Sequence, residues 1–239
     1  MLKWMPEACY DPVRLKYHGW KKRLVGPIER WCLRRCTKIV ATCEAEAEWI
    51  RAYEPRVKSI EVTDIKRFFN LSRVERVETC RGGRDVEVHV LYLGRKHLLK
   101  GVEYLETAVR QMQDSTRSTC STRLKIELKI ISSAFGEEKE RVWDWCDVLV
   151  LPTLSDNFGL VIAEALERGK HVITTDGAPA WEKECKMENV KCKIGDGEIW
   201  TGYDGRLIYL KGYREGSDEE RVELLKNAVD MIKHEENML

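Results

Sequence analysis

Between residues 86 and 174, apolar runs of strand length alternate with amphipathic stretches of helix length, and few folds accept that rhythm. Strands are expected at 86–93, 124–131, 147–151 and 171–174, with helices at 100–112, 136–145 and 158–168 between them. Strand, helix and strand in that order close into parallel pairs through right-handed crossovers, so the pattern predicts an α/β unit with a parallel sheet wrapped by helices. In such open sheets ligands collect beyond the carboxyl ends of the strands.

The chemistry is densest in the Leu149–Trp181 segment, LVLPTLSDNFGLVIAEALERGKHVITTDGAPAW. Asp156 precedes Glu164 by eight positions, and Asn157, Phe158 and Gly159 open the helix between them. The first carboxylate thus sits at a helix mouth, where backbone N–H groups lack partners and the dipole is positive. The second lies among Leu160, Val161, Ile162, Ala163, Ala165 and Leu166, where a buried carboxylate is costly unless something donates hydrogen bonds to it. The plainer account makes Asp156 an N-cap and pairs Glu164 with a core Arg or a backbone donor.

This arrangement resembles the E-x7-E signature of retaining, two-domain glycosyltransferases of family 4 (glycosyl transferases group 1), with Asp in place of the first Glu. A second match lies upstream, where strand 86–93 ends in Gly94-Arg95 and is followed by Lys100-Gly101, similar to the GR…KG pattern of the same enzymes. TTDGAPAW resembles the Thr-Gly-Ala/Thr-Pro-Trp segment of members that build lipopolysaccharide and other surface glycans. The resemblance implies a GT-B fold and a nucleotide diphosphate sugar as donor substrate, with no further cofactor. It places Gly94, Arg95 and Lys100 at the diphosphate, the two cations neutralising it as it departs. It places Asp156, Asn157 and the backbone of Phe158, Gly159 and Leu160 at the donor sugar, and Glu164 at the ribose diol. Asp156, Arg95 and Lys100 are then the catalytic candidates, while Lys96 reads as a solvated cation. No D-x-D sequence occurs, so no metal is expected at the diphosphate.

With 41 basic and 40 acidic side chains the net charge is +1, and nothing global points to nucleic acid. The imbalance is local: residues 1–38 hold ten Lys or Arg against Glu7, Asp11 and Glu29, with Trp4, Trp20 and Trp31 interleaved. That composition suits an anionic membrane surface, although the cations equally suit a solvated scaffold. Nine cysteines of irregular spacing argue for a reducing, cytoplasmic compartment, and Cys32 and Cys36 lack the companions a zinc site needs. The five histidines are scattered, and no apolar run approaches the ~20 residues a membrane span requires.

Ahead of the sheet, residues 14–38 suggest one or two basic amphipathic helices interrupted near Gly26-Pro27, followed by a short strand at 38–41, a helix capped by Thr42 or Cys43, and a strand at 57–62. LKYHGWKKRL and ATCEAEAEWIR resemble the closing part of the N-terminal domain of the same glycosyltransferases, whose first hundred or so residues have no counterpart here. The expected organisation is a truncated acceptor-side unit (1–64), a linker (65–85), a Rossmann-like donor unit (86–215) and a C-terminal helix (216–239) capped by Ser217-Asp218-Glu219-Glu220. Residues 114–122 read as a polar loop, and glycines 195, 197, 202 and 205 as turns. The expected activity is transfer of a hexose to a glycan or glycolipid hydroxyl, by a homodimer or with a partner chain. The rivals are a non-catalytic nucleotide-sugar binding subunit and a nucleotide-sugar epimerase of the same fold.

Overall fold

The computed structural model describes residues 3–4, 10–64, 66, 69, 71, 86–118, 124–156, 158–186 and 192–236. The expected linker lies mostly outside these residues. The chain forms two sheets. In the smaller, β1 (Lys3–Trp4), β2 (Lys38–Ala41) and β3 (Ile60–Val62) are parallel and lie in chain order. The crossovers are α1 (Pro12–Arg35) and α2 (Glu44–Tyr53). This corrects a sheet starting at residue 38: β1 pairs with Lys38 and Ile39, covering that edge of β2. The strand expected at 57–62 is shortened to its last three residues.

Helix α1 runs unbroken through Gly26-Pro27, against the interruption expected there. Pro27 removes one backbone donor in the interior, a cost of roughly 3 kcal/mol that packing must offset. On its buried side Leu33 and Cys36 join Ile39, Ala47 and Ile50 in a small core. Asp11 caps it, accepting from Val13 N at 3.0 Å, with Pro12 at the first helical position. At α2 Cys43 is the N-cap residue, one of the two expected, and the buried Glu46 reaches back to accept from the Thr42 N–H at 2.7 Å and the Thr42 hydroxyl at 2.9 Å.

The larger sheet contains β4 (Val86–Leu93), β5 (Leu124–Ile131), β6 (Val148–Leu151), β7 (His171–Thr175), β8 (Cys185–Lys186), β9 (Cys192–Ile194), β10 (Gly197–Gly202) and β11 (Leu207–Lys211). Its order is β5-β4-β6-β7-β11-β10-β8, with β9 also on β10. The first five are mutually parallel, and β10 runs antiparallel to β11. Helices α3 (Val102–Ser118), α4 (Gly136–Trp145), α5 (Leu160–Glu167) and α6 (Asp218–Glu236) pack around it. Apolar runs without alternation, such as VLVL in β6, are buried on both faces, as parallel strands between helix layers must be.

Helix α3 is longer than its apolar repeat suggested: Asp114–Ser118 of the expected loop continue it, and Gln113 ties this end to β5 by donating to Ile126 O at 2.8 Å. Gly197 and Gly202 lie in β10 rather than in turns, and a Cβ at Gly202 would meet Glu184 O at 2.2 Å. The capping box of α6 forms as expected, with Glu220 N donating to Ser217 Oγ and Ser217 N to Glu220 Oε2. The two sheets are joined by an ion pair between Arg214 and the buried Asp11 at 2.6 Å, and by Lys66, which contacts Glu184 at 2.5 Å and Ala180 O at 3.1 Å.

Candidate functional site

Strand β5 lies on one side of β4 and β6 on the other, so the connections leaving β4 and β6 diverge and open a crevice at their carboxyl ends. Gly94–Lys100 leaves β4 and Pro152–Gly159 leaves β6, so the topology brings together the two segments that carry the candidate residues. They are stitched through one carbonyl: Leu99 O accepts from Leu154 N at 2.8 Å, Thr153 Oγ1 at 3.1 Å and Ser155 N at 3.3 Å. Gly101, at φ 59°, lets the β4 connection pass so close that a Cβ would lie 2.2 Å from Pro152 O. The β7 end closes on the same loop, with Asp156 N donating to Gly177 O at 2.7 Å and the Thr175 hydroxyl to Thr153 O.

Across this junction the Lys100 ammonium pairs with the Asp156 carboxylate, 23% and 25% exposed respectively. Those exposures leave both groups reachable while removing much of their water, which strengthens a charged contact. Arg95, on the same β4 connection as Lys100, is exposed, and its carbonyl accepts from the Tyr92 hydroxyl at 3.0 Å. Burial, then the Asp156 and Glu103 carboxylates, push the Tyr92 phenol up to about 12, so it stays a hydrogen-bond donor at neutral pH. Lys96 turns outward to Glu106 at 3.0 Å, in keeping with a solvated position. Gly94 closes β4 with its N–H on Ile131 O.

The α5 helix starts at Leu160 instead of Phe158, with Gly159 as N-cap at φ 63°. That left-handed backbone favours glycine, whereas a Cβ there would meet only the movable side-chain ends of Ile162 at 2.9 Å and Leu151 at 3.0 Å. Phe158 is buried against Trp181, whose indole donates to Phe158 O at 2.5 Å. Leu160 is exposed, and Asn157 lies outside the described residues.

Glu164 departs from its expected surroundings. Ile162, Ala163, Ala165 and Leu166 face the core, but the Glu164 carboxylate turns to the other side and pairs with Lys139 of α4 at 2.7 Å, 27% and 26% exposed. The required partner is thus a lysine on a neighbouring helix, which nothing in local periodicity marks. Four residues before Lys139, Phe135 is the extended N-cap residue of α4 and stands 80% exposed. Ser155, buried next to Asp156, has no partner for its hydroxyl among the described residues. None of Lys139, Phe135 and Ser155 was flagged by the sequence.

Among the described residues one cluster of side chains that could ligate a metal was equally invisible. Glu87, His89 and Glu127 meet across the β4–β5 register with ligand atoms within 4.8 Å, but Lys125 already holds Glu87 at 2.6 Å. Two cavities, of about 260 Å³ between Lys96 and Glu106 and about 580 Å³ between α3 and β5, also lie off the site, since neither is lined by Lys100, Asp156 or Glu164.

No protein-family model matches the chain. Over 126 residues it is 28% identical to MJ1607 of Methanocaldococcus jannaschii, described as an uncharacterized glycosyltransferase, covering 44% of this chain and 32% of that protein. Among solved structures, alpha,alpha-trehalose 6-phosphate synthase from Burkholderia multivorans superposes with a TM-score of 0.53 at 13% identity, over 91% of this chain and 57% of that one. The pneumococcal O-GlcNAc transferase GtfA, solved with UDP and GlcNAc, gives 0.52 at 10% identity over 92% and 41%. The fold is that of the GT-B glycosyltransferases. The chain spans about a third of MJ1607 and between two and three fifths of these two structures. Among the described residues no helix is long and apolar enough to cross a membrane.

Proposed function

We propose that the chain binds a nucleoside diphosphate sugar across the β4–β6 crevice and takes part in transferring its hexose, with retention, to a hydroxyl of a glycan or glycolipid. The observation that carries this reading is the meeting of Lys100 and Asp156 from two separate connections at the switch point of the sheet, with an exposed Arg95 on the same connection as Lys100. A diphosphate entering there displaces the Asp156 carboxylate from Lys100. Asp156 is freed to accept from hydroxyls of the sugar, while Lys100 and Arg95 hold the phosphates.

When the bond from the anomeric carbon to the diphosphate breaks, its electron pair stays on the phosphate oxygen. Arg95 and Lys100 offset that developing charge, which is where differential stabilisation lowers the barrier, with no metal required. The acceptor oxygen bonds to the anomeric carbon on the face the diphosphate leaves, and its proton passes to the departing phosphate oxygen. Glu164 exchanges its Lys139 contact for the ribose diol.

Calorimetric titration with UDP, GDP, ADP and their sugars tests the reading. Nucleotide binding that Arg95→Glu and Lys100→Glu each weaken by several kcal/mol, as for charged hydrogen bonds lost from a desolvated site, supports it. Unchanged affinity in both variants removes the diphosphate from this site. Product analysis separates the chemistry: transferred sugar supports transfer, whereas epimerised sugar or an intact donor assigns the same site to isomerisation or to binding alone.

A further inference from the structure

Helix α1 carries on its outer face a stripe that a merely solvated helix has no reason to carry. Trp20, Leu24, Ile28 and Trp31 are 63%, 72%, 66% and 52% exposed. They recur at steps of four, four and three, which at about 100° per residue confines them to one face roughly 80° wide. Leu33 and Cys36 occupy the opposite side against the small sheet, and Glu29 turns the same way to the Tyr53 hydroxyl at 3.1 Å. Isolated exposed apolar residues need no explanation, but four in one line mark a contact surface.

The charges around the stripe select what covers it. Helix α1 holds eight Lys or Arg and the single acid Glu29, a net charge of 8 − 1 = +7. By the same helical geometry Lys16, Arg23 and Arg34 border the stripe on one side and Arg14 on the other. Arg35 lies within it, its guanidinium 4.4 Å over the Trp31 ring. A second copy of this face would bring two such helices together and be repelled, since like charge juxtaposed at an interface is strongly unfavourable. An anionic bilayer surface accepts both components: tryptophan and aliphatic side chains at the headgroup–acyl boundary, and arginines on long stems reaching the lipid phosphates.

The geometry points to the outer face of α1 as a docking surface for anionic phospholipid. Trp20, Leu24, Ile28 and Trp31 enter the boundary, while Arg14, Lys16, Arg23 and Arg35 contact phosphate. The inference rests on this helix alone and stands apart from the reading of the donor site.

The full chain is sedimented with vesicles of phosphatidylcholine alone and of phosphatidylcholine containing phosphatidylglycerol. Binding to the anionic vesicles only is expected. It should weaken as salt rises and the Debye length contracts from about 10 Å at 0.1 M to about 3 Å at 1 M. The Trp20→Ala/Trp31→Ala double variant should lower partitioning at least about tenfold, and Arg23→Gln about fivefold. Both should unfold at the same urea midpoint as the parent, because the replaced side chains are exposed. Equal sedimentation with both lipids, or parental binding by an Ile28→Glu/Trp31→Glu variant, overturns the inference. A dimer by light scattering that this variant dissolves, without vesicle binding in the parent, also overturns it and gives the face to a second copy.

Discussion

In the small sheet the strands lie side by side in chain order, whereas in the large one β5 and β6 flank β4 from opposite sides. Both contain parallel strands joined by helical crossovers, and both bury apolar strands. Only the second has a place where consecutive connections diverge, so only it holds a crevice lined by backbone and by charges from separate loops. Among the described residues the first has no such divergence, and its distinctive chemistry is on the outer surface of α1. Similar local construction therefore yields an internal site in one region and an external face in the other, and strand order makes the difference.

The largest expected effect tests the crevice directly. Gly101 and Gly136 share a left-handed backbone, φ 59° and 54°, but a Cβ would strike Pro152 O at Gly101 and meet nothing within 4 Å at Gly136. Gly101→Ala should cost roughly 3 kcal/mol or more and abolish nucleotide binding, because the β4 and β6 connections must separate. Gly136→Ala should cost only about 1–2 kcal/mol, the left-handed strain alone. Equal urea midpoints for the two variants would break the account of the stitched loops.

Next come the charges. Lys100→Ala should weaken nucleotide diphosphate binding by about 1.5–3 kcal/mol, the range for hydrogen bonds to charged groups. It should leave unfolding nearly unchanged, since a partly exposed ion pair contributes little to stability. Glu164→Gln should lower affinity for the sugar-free diphosphate, whereas Asp156→Asn should spare it and impair turnover. Equal loss of nucleotide binding in both variants, read by calorimetry, would end that division of labour.

A smaller effect separates the buried strand ends from the exposed helix. Burial, and then Arg206, hold the His171 imidazole below its ordinary value of 6.5. Below about pH 6.5 the unfolded chain takes up this proton before the folded one does, so the contribution of His171 to stability falls with pH, and it stays lost below the folded value. His171→Asn should flatten that part of the stability profile measured by urea unfolding between pH 5 and 7. Smallest of all, Trp31→Ala should shift stability by no more than about 0.5 kcal/mol, since a half-exposed side chain on α1 supports no core. A larger loss would show that the stripe is scaffold.

Much of this was legible in the chain because it is local. Strand and helix runs and the Ser217–Glu220 capping box depend on residues a few positions apart, so their spacing alone encodes them. Local signals also misled where tertiary contacts outweighed them: Pro27 stays helical because α1 is held on both sides of it by packing, and Asp114–Ser118 stay helical beyond the apolar repeat of α3. The candidate residues Arg95, Lys100, Asp156 and Glu164 came from motif spacing. What each touches did not.

The sequence by itself determined the parallel α/β architecture, the ends of most helices and which charged residues stand near strand ends, because periodicity and capping act over a few residues of backbone. Only the tertiary structure decided that β5 and β6 part around β4, that Lys100 meets Asp156, that Glu164 turns to Lys139 rather than into the core, and that the stripe on α1 faces outward. Each of these joins residues distant in the chain or depends on which helix face the sheet covers. Such pairings are fixed by the burial of whole layers, whose free energy no short window of sequence contains.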